Sequence, residues 1–101
     1  MGEKRKAHYS LTEIKATFST VKALRMTYTA SQCALELNIT LATIVTIIQG
    51  MTSGQLYKSM TSHADATIWQ DVYRVPYGAL TLYVKFTVDW QGYLLISFKE
   101  R

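Results

Sequence analysis

The sequence is poor in residues that cross-link or interrupt a chain, with one cysteine, Cys33, and one proline among 101 residues. A single cysteine excludes an internal disulfide. Proteins without disulfides are typical of the reducing cytoplasm, where we expect this one to act. A charged fraction of 18% beside a hydrophobic fraction of 49% is typical of a folded chain rather than a disordered one. By length we predict a single domain over residues 1–101.

Long hydrophobic runs are absent as well. The most apolar stretch, ITLATIVTIIQG, is much shorter than the roughly 20 residues that span a bilayer. The N-terminus, MGEKRKAHYS, is basic, but no apolar segment of a secretory signal follows it. We therefore expect no membrane partner.

The specific motifs of metal and nucleotide chemistry are missing too: HExxH, CxxC, GxxxxGK(S/T) and GxSxG do not occur. His8 and His63 lack the spacing of metal ligands, so we predict no metal and no cofactor. Asp65 and Asp71 are candidates to flank a site. Paired carboxylates without a metal suit glycoside hydrolysis, however, and this chain is small for that activity.

Helical periodicity dominates the chain as far as Met51. Ser10 and Glu13 have the spacing of a capping box, and apolar residues then recur on one face at Leu11, Ile14, Phe18 and Val21. A second helix is predicted over residues 29–38 and a third from Thr40 to Gly50. The segment LRMTY, residues 24–28, is a candidate edge strand.

The period changes to two after Tyr57, which predicts strands at residues 58–63, 67–75, 80–88 and 93–99. Short turns join these strands, and consecutive strands with short turns indicate an antiparallel meander. Helices followed by a meander predict a two-layer α+β fold, with N-terminal helices packed on a C-terminal antiparallel sheet.

Strand alternation also gathers polar side chains on one face of this sheet. These side chains are Lys58, Gln70, Arg74, Tyr83, Lys85 and Lys99. One interpretation is an ordinary solvated face. The other is a cationic groove for a phosphodiester backbone, with Tyr57 or Tyr77 stacking on an unpaired base. The net charge of +4 favours anionic partners but is a weak signal by itself.

Three stretches carry a family resemblance. LYKSMTSHADATIWQDVYR, LYVKFTV and LLISFKER, in this order, resemble the MqsR family of bacterial toxins, and EKRKAHYSLTEIK extends the resemblance to nearly the whole chain. The resemblance implies a RelE-like fold and a ribosome-independent mRNA interferase, an endoribonuclease that cuts single-stranded mRNA at sites containing GC. It also implies a cognate MqsA-like antitoxin that binds zinc, contains a helix-turn-helix domain and takes the complex to operator DNA.

Four catalytic positions of the family fall on Lys58, Gln70, Tyr83 and Lys99. All four belong to the face that strand alternation assembles, and we expect Tyr57, Arg74 and Lys85 to bind the RNA.

RelE-like nucleases are expected to use the ribose 2′-OH as nucleophile without a metal. Our hypothesis makes Lys99 or Lys58 the base, Tyr83 the acid or a phosphate donor, and Gln70 an orienting group. Like-charge repulsion among the lysines is expected to lower the pKa of at least one. Two alternatives stay open: an RNA- or DNA-binding module without catalysis, and a protein-interaction domain.

Overall fold

The computed structural model describes residues 2–100, so Met1 and Arg101, the ends of the predicted domain, lie outside the described residues. The elements in chain order are β1 (Glu3–Lys4), α1 (Leu11–Thr17), α2 (Tyr28–Glu36), α3 (Leu41–Gln49), β2 (Leu56–Thr61), β3 (Trp69–Tyr77), β4 (Leu80–Val88) and β5 (Leu94–Glu100). The five strands form one sheet in the order β1-β2-β3-β4-β5, and every neighbouring pair is antiparallel. The predicted α+β class, with helices before a meander, is confirmed.

Each α-helix begins at a hydroxyl side chain that accepts a backbone N–H from the first turn: Ser10, Thr27 and Thr40. Such caps satisfy one of the N–H groups that a helix start leaves without a partner. The third helix ends at Gly50, as its sequence predicts. Within residues 2–100 no helix by itself is long and apolar enough to cross a membrane. Only α2 and α3 taken together, bent by 104°, meet the length and composition criteria.

The helices cover one side of the sheet, which we call the inner face; the opposite side is the outer face. The main core joins buried helical side chains to alternate residues of the last three strands: Tyr73, Val75, Leu82, Val84, Phe86, Ile96 and Phe98. Phe86 lies at its centre, stacked with Phe18 at 6.4 Å between ring centroids and edge-on to Tyr73 at 5.9 Å. Val21, predicted to share the face of Ile14 and Phe18, is instead 42% exposed because α1 ends at Thr17.

The predicted edge strand at residues 24–28 is wrong in extent. Only Met26 pairs with the sheet, in a single parallel bridge to Ile96, and the Thr27 N–H donates to the Ile96 carbonyl at 2.9 Å. The side chain of Thr27 then caps α2, so the chain leaves the sheet for a helix after one bridge.

Strand β3 begins and ends later than its sequence predicts. The Asp65 carboxylate accepts both the N–H and the hydroxyl of Thr67, at 2.9 and 2.6 Å, and this turn delays the strand to Trp69. At the other end, Tyr77 pairs with Leu80 across a two-residue turn in which Gly78 has φ +58°, a conformation that glycine adopts readily.

Candidate functional site

The antiparallel register arranges the outer face in rows that run across the strands. In the central row Lys58 of β2 pairs with Val72 of β3, Val72 with Lys85 of β4, and Lys85 with Ser97 of β5. Val72 is only 3% exposed, so the two lysines flank a buried aliphatic side chain. Residues directly opposite in an antiparallel pair lie about 4.5–5.5 Å apart at Cβ, which makes the members of a row true neighbours.

A second row, the tyrosine row, lies two residues after the central row on β3 and two residues before it on β4. Here Arg74 pairs with Tyr83, and Tyr83 with Lys99. A shallow groove lined by Arg74, Pro76, Thr81 and Tyr83 continues from this row toward the turn between β3 and β4. Two of the predicted catalytic residues and one predicted RNA-binding residue therefore meet in one row.

Tyr57 connects the two rows. It occupies an irregularity in β2, where the register to β3 shifts between Leu56 and Lys58. The Arg74 guanidinium carbon lies 4.4 Å from the centroid of the Tyr57 ring, and the Lys58 Nζ lies 5.3 Å from it. The Tyr83 ring is 6.1 Å away at an interplanar angle of 44°. Cations at these distances are attracted by the face of an aromatic ring.

Lys85 has a lowered pKa in the folded protein. Burial lowers the pKa of its amine, and the charges of Lys99 and then Lys58 lower that pKa further. The expected depression of a lysine pKa is therefore present at Lys85, although burial is the larger cause and like-charge repulsion the smaller. A lowered pKa increases the share of neutral amine, the form able to accept a proton.

Gln70 lies on the outer face as predicted, but away from the tyrosine row. It pairs with Met60 of β2, two residues from Val72 and four from Arg74. Antiparallel pairing also places Glu3 of β1 opposite Met60. We call Glu3, Met60 and Gln70 the edge row. The structure thus brings Lys58, Tyr83, Lys85 and Lys99 together in two adjacent rows. Gln70 lies one row from Lys58 and Lys85 and two rows from Tyr83 and Lys99.

Residues 3–9, the N-terminal arm, add groups to the site that strand alternation did not identify. The Arg5 Nη1 donates to the Tyr57 carbonyl at 3.2 Å, and the Arg5 guanidinium lies 5.8 Å from the Tyr57 ring. The Glu3 carboxylate lies 3.7 Å from the Lys58 amine, so one carboxylate borders a face for which alternation predicts none. The only sequence signal was the charged run EKRK, because a two-residue strand has no periodicity to detect.

Asp71, weighed from sequence as a site residue, is an anchor for this arm. It is fully buried and accepts from the backbone N–H of His8 at 3.0 Å, from that of Tyr9 at 2.8 Å and from the Ser59 hydroxyl at 2.6 Å. It lies on the inner side of β3, away from the outer face. Burial and the charge of Asp71 also raise the pKa of the neighbouring Tyr73.

Trp69 is only half-buried, although alternation places it inward with Tyr73, which is 1% exposed. The arm covers it: the His8 ring stacks on its indole at 5.4 Å, and the Lys4 amine lies 4.3 Å from the ring centroid. Within residues 2–100, no three His, Cys, Asp or Glu side chains lie together in a way that would hold a metal ion.

The fold and its outer face define a small α+β protein with a cationic, aromatic surface opposite its helical layer. A family model described as motility quorum-sensing regulator, toxin of MqsA, matches residues 6–100. The mRNA interferase toxin MqsR of Escherichia coli K12 is 37% identical over 99 residues, which are 98% of this chain and 99% of that protein. The chain belongs to the MqsR toxin family.

Proposed function

We propose that this chain is a toxin endoribonuclease, an mRNA interferase that cuts single-stranded mRNA and so inhibits translation. One observation carries the proposal: three strands bring Lys58, Lys85 and Lys99 together on the outer face, where burial and then the charges of Lys99 and Lys58 lower the pKa of Lys85. The relative from Escherichia coli is named an mRNA interferase toxin, which supports the same activity here.

The charge of the outer face suits an RNA backbone. Arg74, Lys58 and Arg5 surround the Tyr57 ring, so cations for phosphate and an aromatic surface for a base lie side by side. Unpaired bases stack on aromatic side chains, and phosphates bind lysine and arginine in a salt-dependent way. We propose that Tyr57, Arg74 and Lys85 contact the RNA, as their sequence positions predict.

Strand cleavage by the ribose 2′-OH needs three groups. A base removes the 2′-OH proton as that oxygen bonds to phosphorus. An acid protonates the departing 5′-oxygen, and cations stabilise the added negative charge on the phosphoryl oxygens. The products are a 2′,3′-cyclic phosphate and a 5′-OH end.

We propose Lys85 as the base. Sequence favours Lys99 or Lys58 for this role and assigns Lys85 to RNA binding, but the lowered pKa is found at Lys85. The positive charges of Lys58 and Lys99 beside it stabilise the transition state electrostatically. The two lysines therefore have two effects: they stabilise the negative charge on the phosphate, and they lower the pKa of the base.

Tyr83 is the proposed acid. It points to the same face as Lys85 from two residues away on β4, which corresponds to roughly 6.8 Å along the strand. Attacking and leaving oxygens lie on opposite sides of the phosphorus, so a base and an acid at this spacing bracket a phosphate between them. Lys99, directly opposite Tyr83, stabilises the phenolate that forms when the proton leaves.

Membership of the MqsR toxin family indicates the partners of this chain. As a toxin of this family, the chain has an antitoxin partner and an RNA substrate. We further propose that the antitoxin is MqsA-like, with a zinc site and a helix-turn-helix domain, and that the chain reaches operator DNA only within that complex. We propose that both proteins act in the cytoplasm.

The test is incubation of the purified chain with a long defined mRNA in excess EDTA, followed by mapping of the new ends. Discrete cuts with 5′-OH ends support the proposal, provided that Lys85→Met, folded by circular dichroism, cuts far more slowly than wild type and Lys22→Met cuts normally. Lys22 is exposed in a turn of the helical layer, which makes it a matched control. Salt-dependent RNA binding without any cut would instead favour a regulatory module that binds RNA or DNA without catalysis.

A further inference from the structure

The outer face is divided in its chemistry. The central and tyrosine rows carry positive charge on Lys58, Lys85, Arg74 and Lys99, whereas the edge row consists of a carboxylate, a thioether and an amide. Glu3 pairs with Met60 and Met60 with Gln70, so the three side chains lie across β1, β2 and β3 in one line. The edge row itself carries no positive charge.

A carboxylate beside a phosphate-binding surface works against backbone binding, because like charges repel. The Glu3 side chain is 49% exposed, and its ion pair with Lys58 is long at 3.7 Å. Exposed pairs of this kind contribute little to stability. The ion pair with Lys58 therefore does little to stabilise the fold, and fold stability does not explain the Glu3 carboxylate.

The Glu3 backbone is nevertheless held firmly. On one side, the Thr61 N–H donates to the Gly2 carbonyl at 2.9 Å, and the Gly2 N–H donates to the Thr61 hydroxyl at 2.7 Å. On the other side, Arg5 is tied to the Tyr57 carbonyl and the arm ends in the hydrogen bonds to Asp71. A side chain presented from an anchored strand is suited to reading a ligand.

The three groups of the edge row match a nucleobase. Single-stranded bases are read on their Watson–Crick edges and packed against apolar or aromatic side chains. A carboxylate accepts from N–H groups, a carboxamide donates and accepts, and a methionine thioether is a soft apolar surface. Guanine has two adjacent donors, N1–H and the N2 amino group, beside the O6 acceptor.

We propose, on the basis of the ribonuclease function above, that the edge row is a guanine-reading subsite. Glu3 accepts from N1–H and the N2 amino group, Gln70 donates to O6, and Met60 packs against the ring. Lys58 exchanges its long contact with Glu3 for a phosphate when RNA binds. Adenine and cytosine present an acceptor where the carboxylate needs a donor, and uracil places carbonyls on both sides of its single N–H. Gln70, predicted from sequence to be an orienting group, thereby becomes a specificity residue.

The test replaces each guanosine of a mapped cleavage site by inosine, which lacks only the N2 amino group. A bidentate contact to a base edge discriminates by roughly 5- to 150-fold. We expect wild-type protein to cut the guanosine oligonucleotide faster by a factor in this range at one position, and Glu3→Gln to bring that ratio close to one. Glu36→Gln, which removes an exposed carboxylate from α2, should keep the wild-type ratio.

A different pattern would overturn the subsite. If Glu3 only pairs with Lys58, Glu3→Gln changes both rates equally and the ratio stays at the wild-type value. Oligonucleotides with 2′-O-methyl groups, which cannot provide the nucleophile, give the same comparison for affinity alone. A guanosine preference in binding that Glu3→Gln abolishes supports the subsite even if no strand is cut. A failed subsite and a failed nuclease therefore give different results.

Discussion

The carboxylate of Asp71 accepts a 2.6 Å hydrogen bond from the hydroxyl of Ser59, and both side chains are fully buried. The same carboxylate accepts from the backbone of His8 and Tyr9, so it joins β2, β3 and the N-terminal arm at one point. Its neighbours in sequence, Gln70 and Val72, point to the outer face. One strand thus alternates between an internal anchor and the surface that the anchor supports.

Loss of this anchor should destabilise the whole protein. Asp71→Ala leaves the buried Ser59 hydroxyl and the partly buried N–H groups of His8 and Tyr9 without their acceptor, and a buried donor costs about 1–3 kcal/mol when unsatisfied. We expect a loss of about 3 kcal/mol in the free energy of unfolding, measured by urea denaturation. Asp65→Ala removes a carboxylate that accepts hydrogen bonds from Thr67 in an exposed turn and should cost much less. Equal losses in the two variants would contradict the anchoring role.

Lys85 should lower the stability of the folded protein while it supports cleavage. Its pKa is lowered in the folded state, so the charged form is disfavoured by folding. This penalty is fully present below the folded-state pKa and disappears as pH rises from there to the unfolded value. Lys85→Met should therefore be more stable than wild type at pH 7 in urea denaturation. Its single-turnover cleavage should be slower by roughly 10²–10⁴-fold, the usual contribution of an acid–base group.

The matched variant is Lys22→Met, which changes the same residue type at an exposed position of the helical layer. It should leave the cleavage rate as in wild type. A Lys85→Met variant that cleaves at the wild-type rate would show that Lys85 is not the base. A variant that is less stable than wild type at neutral pH would show that folding does not disfavour the charged form of Lys85.

The pH profile of cleavage should report the lysines that surround Lys85. Cleavage should accelerate with pH as Lys85 loses its proton. Of the two neighbouring charges that lower the Lys85 pKa, Lys99 has the larger effect. Lys99→Met should therefore raise the Lys85 pKa, and the rise of the cleavage rate with pH should occur at higher pH. Lys58→Met should move it in the same direction by less. Profiles from single-turnover rates that differ from wild type only in height would argue against Lys85 as the base.

Tyr83 should be needed for its hydroxyl alone. Tyr83→Phe keeps the ring, and with it the contact to Tyr57, but removes the proton that the leaving oxygen needs. We expect a loss of roughly 10²–10⁴-fold in the single-turnover rate with RNA affinity nearly unchanged. Wild-type cleavage by Tyr83→Phe and by Lys99→Ala, both folded by circular dichroism, would remove the tyrosine row from the mechanism.

Substitution of Tyr57 should change the affinity for RNA more than the rate of the cleavage step. Tyr57→Ala removes the ring on which Arg74 lies, and base–aromatic stacking contributes about 1–3 kcal/mol per base. Affinity for a short single-stranded RNA should fall accordingly, measured by fluorescence anisotropy, while Tyr57→Phe should bind as wild type. Tyr93→Ala is the comparison: Tyr93 likewise contacts an arginine, Arg25, but it is exposed and lies at the hairpin between β4 and β5. Equal losses in both alanine variants would mean that RNA binding is spread over the surface.

Sequence alone determined which side chains share a face of the sheet. Because successive strand residues point to opposite sides, the alternation in TIWQDVYR is enough to place Gln70 and Arg74 outward and Tyr73 inward. The order of β2 to β5 follows in the same way from short turns between consecutive strands. Both are local properties, and the α+β class depends on little else.

Only the tertiary structure decided which members of the outer face are neighbours. Strand register places Tyr83 beside Lys99 and Gln70 two rows away, and register depends on pairing between distant segments. Glu3 and Arg5 entered the site because a two-residue strand pairs with residues near position 60, and so short a strand leaves no periodic signal. The lowered pKa of Lys85 is likewise set by burial and by charges on two other strands, which no local pattern contains.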